Sequence, residues 1–233
     1  MNILLTGASR GIGAATRNLL AARGHQVIGH STRGGGNLLG ADLSEPGAAV
    51  RLWRDALNRA GGRIDVLINN AGIYEAAPVG IDDSEWLAQW QRTLQVNLVA
   101  AGDLSRQAIL HFEAQGGGRI INVASRAAFR GDSADHWHYA ASKAGMVAMT
   151  RSIARGYAAK HILAFAVAPG FTVSEMTEDY LAGRGGAAII ADIPLGRVTS
   201  TDEVAEAIRW LAIDAPAAAT GTIVDLNGAS YVR

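Results

Sequence analysis

The sequence has no cysteine, which excludes disulfides, thiolate metal sites and a cysteine nucleophile. It has no charge imbalance: 21 basic residues stand against 21 acidic ones, leaving no electrostatic footprint for nucleic acid or an anionic membrane. No apolar run approaches the roughly 18 residues of a membrane span. Met1-Asn2-Ile3-Leu4-Leu5 leads directly into a strand pattern, without a basic segment followed by a long apolar stretch, so a cytoplasmic protein is expected. Lysine is scarce, occurring only as Lys143 and Lys160 while arginine is plentiful. No repeat or linker divides the chain, and 233 residues of which 49% are hydrophobic fit a single domain over 1–233.

Glycine is abundant instead, at 28 residues, and its placement is informative. Asn2-Ile3-Leu4-Leu5-Thr6 is apolar without alternation, as in a strand buried on both faces. Gly7-Ala8-Ser9-Arg10-Gly11-Ile12-Gly13 follows, and Ala14 to Arg23 reads as a helix. Glycines there let backbone approach a pyrophosphate, and the helix N-terminus supplies N–H groups and positive dipole. A second strand, Gln26 to His30, ends in Ser31-Thr32-Arg33 with no acidic residue before Asp42. An acidic residue at this point would bind a ribose 2′-hydroxyl and repel a 2′-phosphate. Arg33, with Arg10, favours NADP(H) over NAD(H), because the guanidinium fork suits phosphate; the other reading is an arginine on a solvated loop. About seven residues then lead to a third strand over Leu38 to Leu43, so a glycine loop is expected where a crossover helix usually stands. Asp42 suits either an adenine amino group or the cap of a helix over Glu45 to Ala60, with Ser44 and Pro46 as start signals.

Ile64 to Asn69 is a fourth strand, with Asn69-Asn70-Ala71-Gly72 at its carboxyl end, the rim where open α/β sheets bind ligands. Ser84 to Ala114 is helical with a break expected near Gln91–Leu94. Asn97 is a poor helix-interior residue and implies a kink, a buried polar contact or a water site. Arg119 to Ala124 is a fifth strand, and Ser125 stands at its end. A loop over Arg126 to His138 carries Asp132, Asp135, His136 and His138 without recognisable metal-ligand spacing, and no metal is expected. Ile162 to Ala168 is a sixth strand ending in Pro169-Gly170. Over about 171–193 a flap over the site or an ordinary surface excursion is expected, followed by a helix from Thr201 to Ala212 and a strand from Thr222 to Leu226.

Tyr139 and Lys143 are four apart in an Ala-rich, Pro-free segment, Tyr139 to Lys160, so they share one helix face. A phenol titrates near ~10, too high for proton transfer at neutral pH. A lysine ammonium beside it is expected to lower that value, making a proton-transfer device for an alcohol or a carbonyl.

Thr6-Gly7-x-x-x-Gly11-x-Gly13, Asn69-Asn70-Ala71-Gly72, Asn97, Ser125, Tyr139-x-x-x-Lys143 and Pro169-Gly170, in that order, resemble the short-chain dehydrogenase/reductase family. The wording of Thr6 to Gly13, Val167 to Phe171 and Gly221 to Gly228 is similar to its 3-oxoacyl-acyl-carrier-protein reductases. The resemblance implies an α/β, doubly wound Rossmann-type domain whose seven parallel strands are ordered 3-2-1-4-5-6-7, with helices on both faces. It implies Asn97, Ser125, Tyr139 and Lys143 as catalytic residues, with Ser125 and Tyr139 on the substrate. Gly7, Ser9, Gly11, Ile12 and Gly13 would line the pyrophosphate. Arg10, Thr32 and Arg33 would meet the adenosine phosphate, and Asp42 and Leu43 the adenine. Asn69, Ala71 and Gly72 would hold the central cofactor region. Tyr139, Lys143, Pro169, Gly170, Thr172 and Ser174 would surround the nicotinamide end. The expected activity is NADPH-dependent reduction of a ketone. The alternatives are NAD(H)-dependent oxidation of a polyol, steroid or other secondary alcohol, and an idle nucleotide-binding regulator. The expected partner is a small carbonyl or alcohol substrate, with a homo-oligomer (dimer or tetramer) as the assembly. The Ser125-to-Tyr139 connection is slightly longer than is usual in the family, so the substrate does not carry over with the motifs.

Overall fold

The computed structural model describes residues 1–172 and 186–233. Seven parallel strands form its sheet, in the order β3-β2-β1-β4-β5-β6-β7. They are β1 (Asn2–Leu5), β2 (Gln26–Ser31), β3 (Leu39–Gly40), β4 (Val66–Asn69), β5 (Gly118–Val123), β6 (Ile162–Pro169) and β7 (Ile223–Leu226). The strands read as continuous apolar runs because both faces are covered. Ile3, Leu5, Val66, Ile68, Ile121, Val123, Phe165 and Val167 face one layer, with α1 (Gly11–Ala22) and the later helix Thr201–Ile213. Leu4, Leu67, Ile120, Ile162 and Ala164 face the other, with α2 (Ala48–Arg59), α4 (Ala100–Gln115) and α6 (Trp137–Tyr157). This is the period of two of a pleated strand, applied to a sheet buried on both sides. The order reverses between β1 and β4, which places the ligand crevice at the carboxyl ends of those strands.

The β2–β3 connection lacks a helix, as expected, and Gly35 bridges to Leu38 within it. β3 is shorter than the Leu38–Leu43 run, since only Leu39 and Gly40 pair, with His30 and Ser31. The Asp42 carboxylate then accepts from the Ser44 amide and hydroxyl at 2.9 and 2.7 Å, and this turn ends the pairing. α2 starts at Ala48 rather than Glu45. Gly47 is left-handed, with φ +76°, so no helix runs through it, and neither Ser44 nor Pro46 caps.

α3 (Asp83–Leu94) continues through a π turn, Gln95–Val99, into α4. The break therefore lies just past Gln91–Leu94 and contains Asn97 itself. The connection from Ser125 to Tyr139 is not one loop: it holds the short α5 (Ala127–Arg130), and His138 is already inside α6. α7 (Gly186–Ala191) is the part of the 171–193 flap segment that lies beyond residues 173–185, and those thirteen, Ser174 included, are outside the described residues. α8 (Thr201–Ile213) begins with a capping box: Ser200 Oγ accepts from the Glu203 amide and Glu203 accepts from the Ser200 amide, two otherwise orphaned donors satisfied at once.

Candidate active site

The crevice is built on one glycine turn. Gly7 has φ +66°, and a Cβ there would stand 2.9 Å from the Ala71 Cα. A Cβ on Gly13 would stand 2.0 Å from the Gly7 carbonyl oxygen, so only glycine lets α1 dock this closely on the turn. Gly11 is also left-handed, at φ +52°. α1 has no side-chain cap and no acidic residue in its first turn, so its dipole and leading N–H groups favour an anion. The exposed Ser9 and Arg10 flank that end, while Ile12 packs into the core beside β1. A bare cradle that a Cβ would fill, at an uncapped helix start, fits a pyrophosphate.

Residues to which the motif spacing gives no role hold the turn in place. The Thr6 hydroxyl accepts from the amides of Asn70 and Ala71, both at 3.0 Å. The Asn70 amide group donates to the Thr6 and Gly7 carbonyls at 2.9 and 3.0 Å. Asn69 faces the opposite way. It is 2% exposed, and its side chain donates to Asn122 Oδ1 at 2.9 Å and Ser105 Oγ at 3.2 Å. Asn122 in turn donates to Thr150 Oγ1 at 2.8 Å. Asn69 thus joins the β4 and β5 ends to α4 and α6 beneath the sheet, and its side chain points away from the crevice.

Past the end of β2, Thr32 and Arg33 are exposed. Asp42 is committed to Ser44, and those hydrogen bonds hold its carboxyl below the usual range. Leu43 is buried in the α2 layer, and its carbonyl accepts from Gln95.

The four residues expected to be catalytic converge at the carboxyl rim. Asn97 is fully buried. Its Oδ1 accepts from the Ile73 amide at 2.8 Å, and its Nδ2 donates to the Ile73 carbonyl at 3.0 Å and to Ser142 Oγ at 3.2 Å. The π turn, a form frequent at functional sites, brings this amide against the Asn70-to-Ile73 segment. A Cβ on Gly72 would lie 3.3 Å from Asn97 Oδ1 and 3.4 Å from Lys143 Nζ. Lys143 is 3% exposed and donates to the Val123 carbonyl at 2.9 Å; its Nζ lies 5.8 Å from the centre of the Tyr139 ring. Ser125 Oγ accepts from the Ala127 amide at 3.1 Å, and its hydroxyl acts to pull the Tyr139 phenol down. The Pro169 carbonyl accepts from the Arg126 amide at 2.7 Å, tying the β6 end to Ser125. Beside it, Gly170 leaves room for Asn227, whose Cβ would be 2.8 Å from an added one. Thr172 is buried.

The expected lowering of the phenol by lysine is corrected here. Burial pushes Tyr139 up to about 12, with Ser125 pulling against it, and pushes Lys143 down to about 8. Both side chains are driven toward neutrality, because desolvation penalises each charged form. Lys143 is committed to Val123 rather than to the phenol.

A wall not evident from the motifs stands beside Tyr139. Tyr74 sets its ring edge-on to Tyr139 at 4.9 Å and stacks on His136 at 3.9 Å. Its hydroxyl donates to Asp132 at 2.9 Å, while Ser133 Oγ and His136 Nδ1 are 2.8 Å apart. His138 is buried against Trp90. Among the described residues no three His, Asp or Glu side chains gather as a metal site, and no helix is long and apolar enough to cross a membrane.

The family model for short chain dehydrogenases matches residues 1–185. The chain belongs to the short-chain dehydrogenases. It is an oxidoreductase acting on CH–OH groups. The 3-oxoacyl-acyl-carrier-protein reductase FabG of Escherichia coli is 34% identical to it over 98% of this chain and 96% of that one. The cis-4-hydroxycyclohexanecarboxylate dehydrogenase of Sinomonas cyclohexanicum is 36% identical over 97% and 94%. Among solved structures, a candidate NAD(P)-dependent gluconate 5-dehydrogenase from Beutenbergia cavernae, with NADP bound at low occupancy, superposes with a TM-score of 0.87. It is 33% identical and covers 97% of this dehydrogenase, which covers 95% of it. These relatives act on different substrates, so the likeness fixes the chemistry more tightly than the substrate.

Proposed function

We propose that this short-chain dehydrogenase uses NADP(H) to reduce a ketone to a secondary alcohol. The observation that carries the reading is the convergence of Lys143 and Asn97 on Gly72, at the same rim as the glycine turn, with the Ser125 hydroxyl acting on the Tyr139 phenol. The turn from Gly7 to Gly13 would hold the pyrophosphate, Arg10, Thr32 and Arg33 the adenosine phosphate, Ala71 and Gly72 the central ribose region, and Lys143 and Thr172 the nicotinamide end. When bound, the cofactor supplies or accepts the hydride; the chain supplies orientation and the proton.

Ser125 and Tyr139 donate to the carbonyl oxygen, and Tyr139 hands its proton to the alkoxide as charge develops there, where fixed donors matter most. A phenol at about 12 is protonated at neutral pH yet far more acidic than an alcohol, so the transfer runs toward product. Lys143 returns a proton to Tyr139 through water, and Asn97 holds the Gly72–Ile73 backbone against which that water is ordered. An intact set of all four favours an enzyme over an idle regulator. A 3-oxoacyl thioester is one substrate this site would take; a polyol or steroid dehydrogenase working with NAD(H) is the alternative. A cytoplasmic location, one catalytic unit over 1–233 and assembly into a dimer or tetramer belong to the same proposal.

Loss of the reduced-nicotinamide absorbance with acetoacetyl thioesters, sugars, steroids and small diketones tests the reading. Turnover of at least one ketone is expected, and silence across all four classes would overturn it. Arg10→Ala with Arg33→Ala is expected to raise the Michaelis constant for NADPH about tenfold or more, the worth of one lost charge-assisted contact. The constant for NADH should barely move. Equal effects on the two cofactors would defeat the phosphate assignment.

A further inference from the structure

His30, the next-to-last residue of β2, is 2% exposed and sits between two parts of the nucleotide crevice. Its Nδ1 accepts from the Gly7 amide at 3.3 Å, and its Nε2 lies 2.8 Å from the Ala41 carbonyl oxygen. A carbonyl only accepts, so Nε2 carries the hydrogen. An amide N–H only donates, so Nδ1 must be bare. The two contacts therefore define one neutral tautomer. The same residue's carbonyl accepts from the Ala8 amide at 2.7 Å, so His30 grips the glycine turn at two successive amides. Beyond Ala41 comes Asp42, so the ring spans from the pyrophosphate cradle to the adenosine loop.

We propose that His30 is a positioning residue that sets the glycine turn against the adenosine loop only as the neutral ring, so that acid weakens dinucleotide binding. This rests on the reading that the crevice takes NAD(P)(H). A proton on Nδ1 would place two donors face to face at Gly7, and the turn would have to open. The charged groups nearby are few. Asp42, after β3, is the charged group that acts on the ring, and Arg92 acts in turn on Asp42; from α1 the Arg17 stem packs near Gly29, and β1 and β4 carry no charged residue. Asp42 acts to favour the cation, but burial acts against it and is the larger effect, so the imidazole stays neutral to lower pH than usual. A neutral-only binder loses affinity below the free protein's His30 value, with a limiting slope of about tenfold per pH unit for one proton.

The test measures dissociation constants of NADPH and NADH, by fluorescence of the bound nicotinamide, from pH 7 to pH 5. NADH is included because it lacks the 2′-phosphate, which itself titrates near ~6. Both constants are expected to rise in acid. In His30→Asn an amide oxygen replaces Nδ1 as the acceptor for Gly7 and nothing titrates. That variant gives up the Ala41 contact, so it should bind NADH more weakly than the parent at pH 7, and its NADH constant should stay flat to pH 5. An unchanged slope in the variant, or parent binding that is flat or tighter in acid, overturns the proposal alone. Absence of NADPH binding at pH 7 overturns the cofactor reading with it. Nitrogen-15 shifts of the parent's His30 ring supply a check that needs no variant: a neutral ring protonated at Nε2 is expected at pH 7, and an Nδ1–H ring or a cation would refute it.

Discussion

Tyr139→Phe is expected to lower kcat for ketone reduction by roughly 10²–10⁴-fold, the range for removing a positioned general acid, while the dissociation constant of NADPH stays within a few-fold. The substitution deletes one oxygen and little else. The ring would still meet Tyr74 edge-on and lie under the Lys143 ammonium, so the pocket keeps its shape. What is lost is the donor at the carbonyl oxygen. Steady-state turnover with a reactive diketone, alongside cofactor titration, separates the two quantities. Unchanged turnover would remove the proton-transfer role, and a matching loss of NADPH binding would recast Tyr139 as part of the nucleotide site.

Lys143→Met is expected to cost activity by a similar factor without costing the fold. Lys143 is 3% exposed, and among the described residues no carboxylate pairs with it. Its fall from 10.5 to about 8 corresponds to a penalty of roughly 3 kcal/mol at neutral pH. The sign follows from linkage. Between about 8 and 10.5 the unfolded chain holds a proton that the folded chain has released, so stability climbs with pH across that window. Below it the penalty is carried in full. Methionine fills similar space without the charge, although it leaves the Val123 carbonyl without its donor, at about 1–3 kcal/mol. The midpoint of thermal unfolding at pH 7 should therefore hold or rise by up to roughly 5 °C. In the parent, kcat/KM for reduction should decline above about pH 8 as Lys143 loses its proton. A drop in thermal stability with no change in the pH profile would leave Lys143 a purely structural residue.

The architecture was legible because its signals are local. Uninterrupted apolar strands, a glycine turn between β1 and α1, and a helix from Thr201 each follow from a few neighbouring residues. The site residues were legible as types at fixed spacings, but their electrostatics were not. Spacing puts Lys143 one turn from Tyr139, yet the cost of burying both groups depends on what covers them, and that is settled by β5 and the Asn70–Ile73 segment. Asn69 and Asn70 show the same limit. Adjacent in sequence, they part to opposite sides at the end of β4: Asn70 braces the glycine turn while Asn69 joins the polar ladder under the sheet. Of the kink, buried polar contact or water site that Asn97 implied, the buried polar contact is the one the structure shows, with Ile73 and Ser142, inside a π turn that begins just past the expected Gln91–Leu94 break. His30 gave no signal at all, since an imidazole near the end of a buried strand acquires meaning only from the two main-chain groups that reach it.

The abbreviated β3 has a bearing on how copies of this chain meet. An unpaired rim of a sheet is a template for another chain's strand, and proteins blunt it by keeping the outermost strand short. Here that rim offers only Leu39 and Gly40, followed at once by the Asp42–Ser44 turn. Continuation of the sheet from one molecule into the next has almost no purchase on this side, whereas β7, at the other end of the sheet, offers four residues, Ile223 to Leu226.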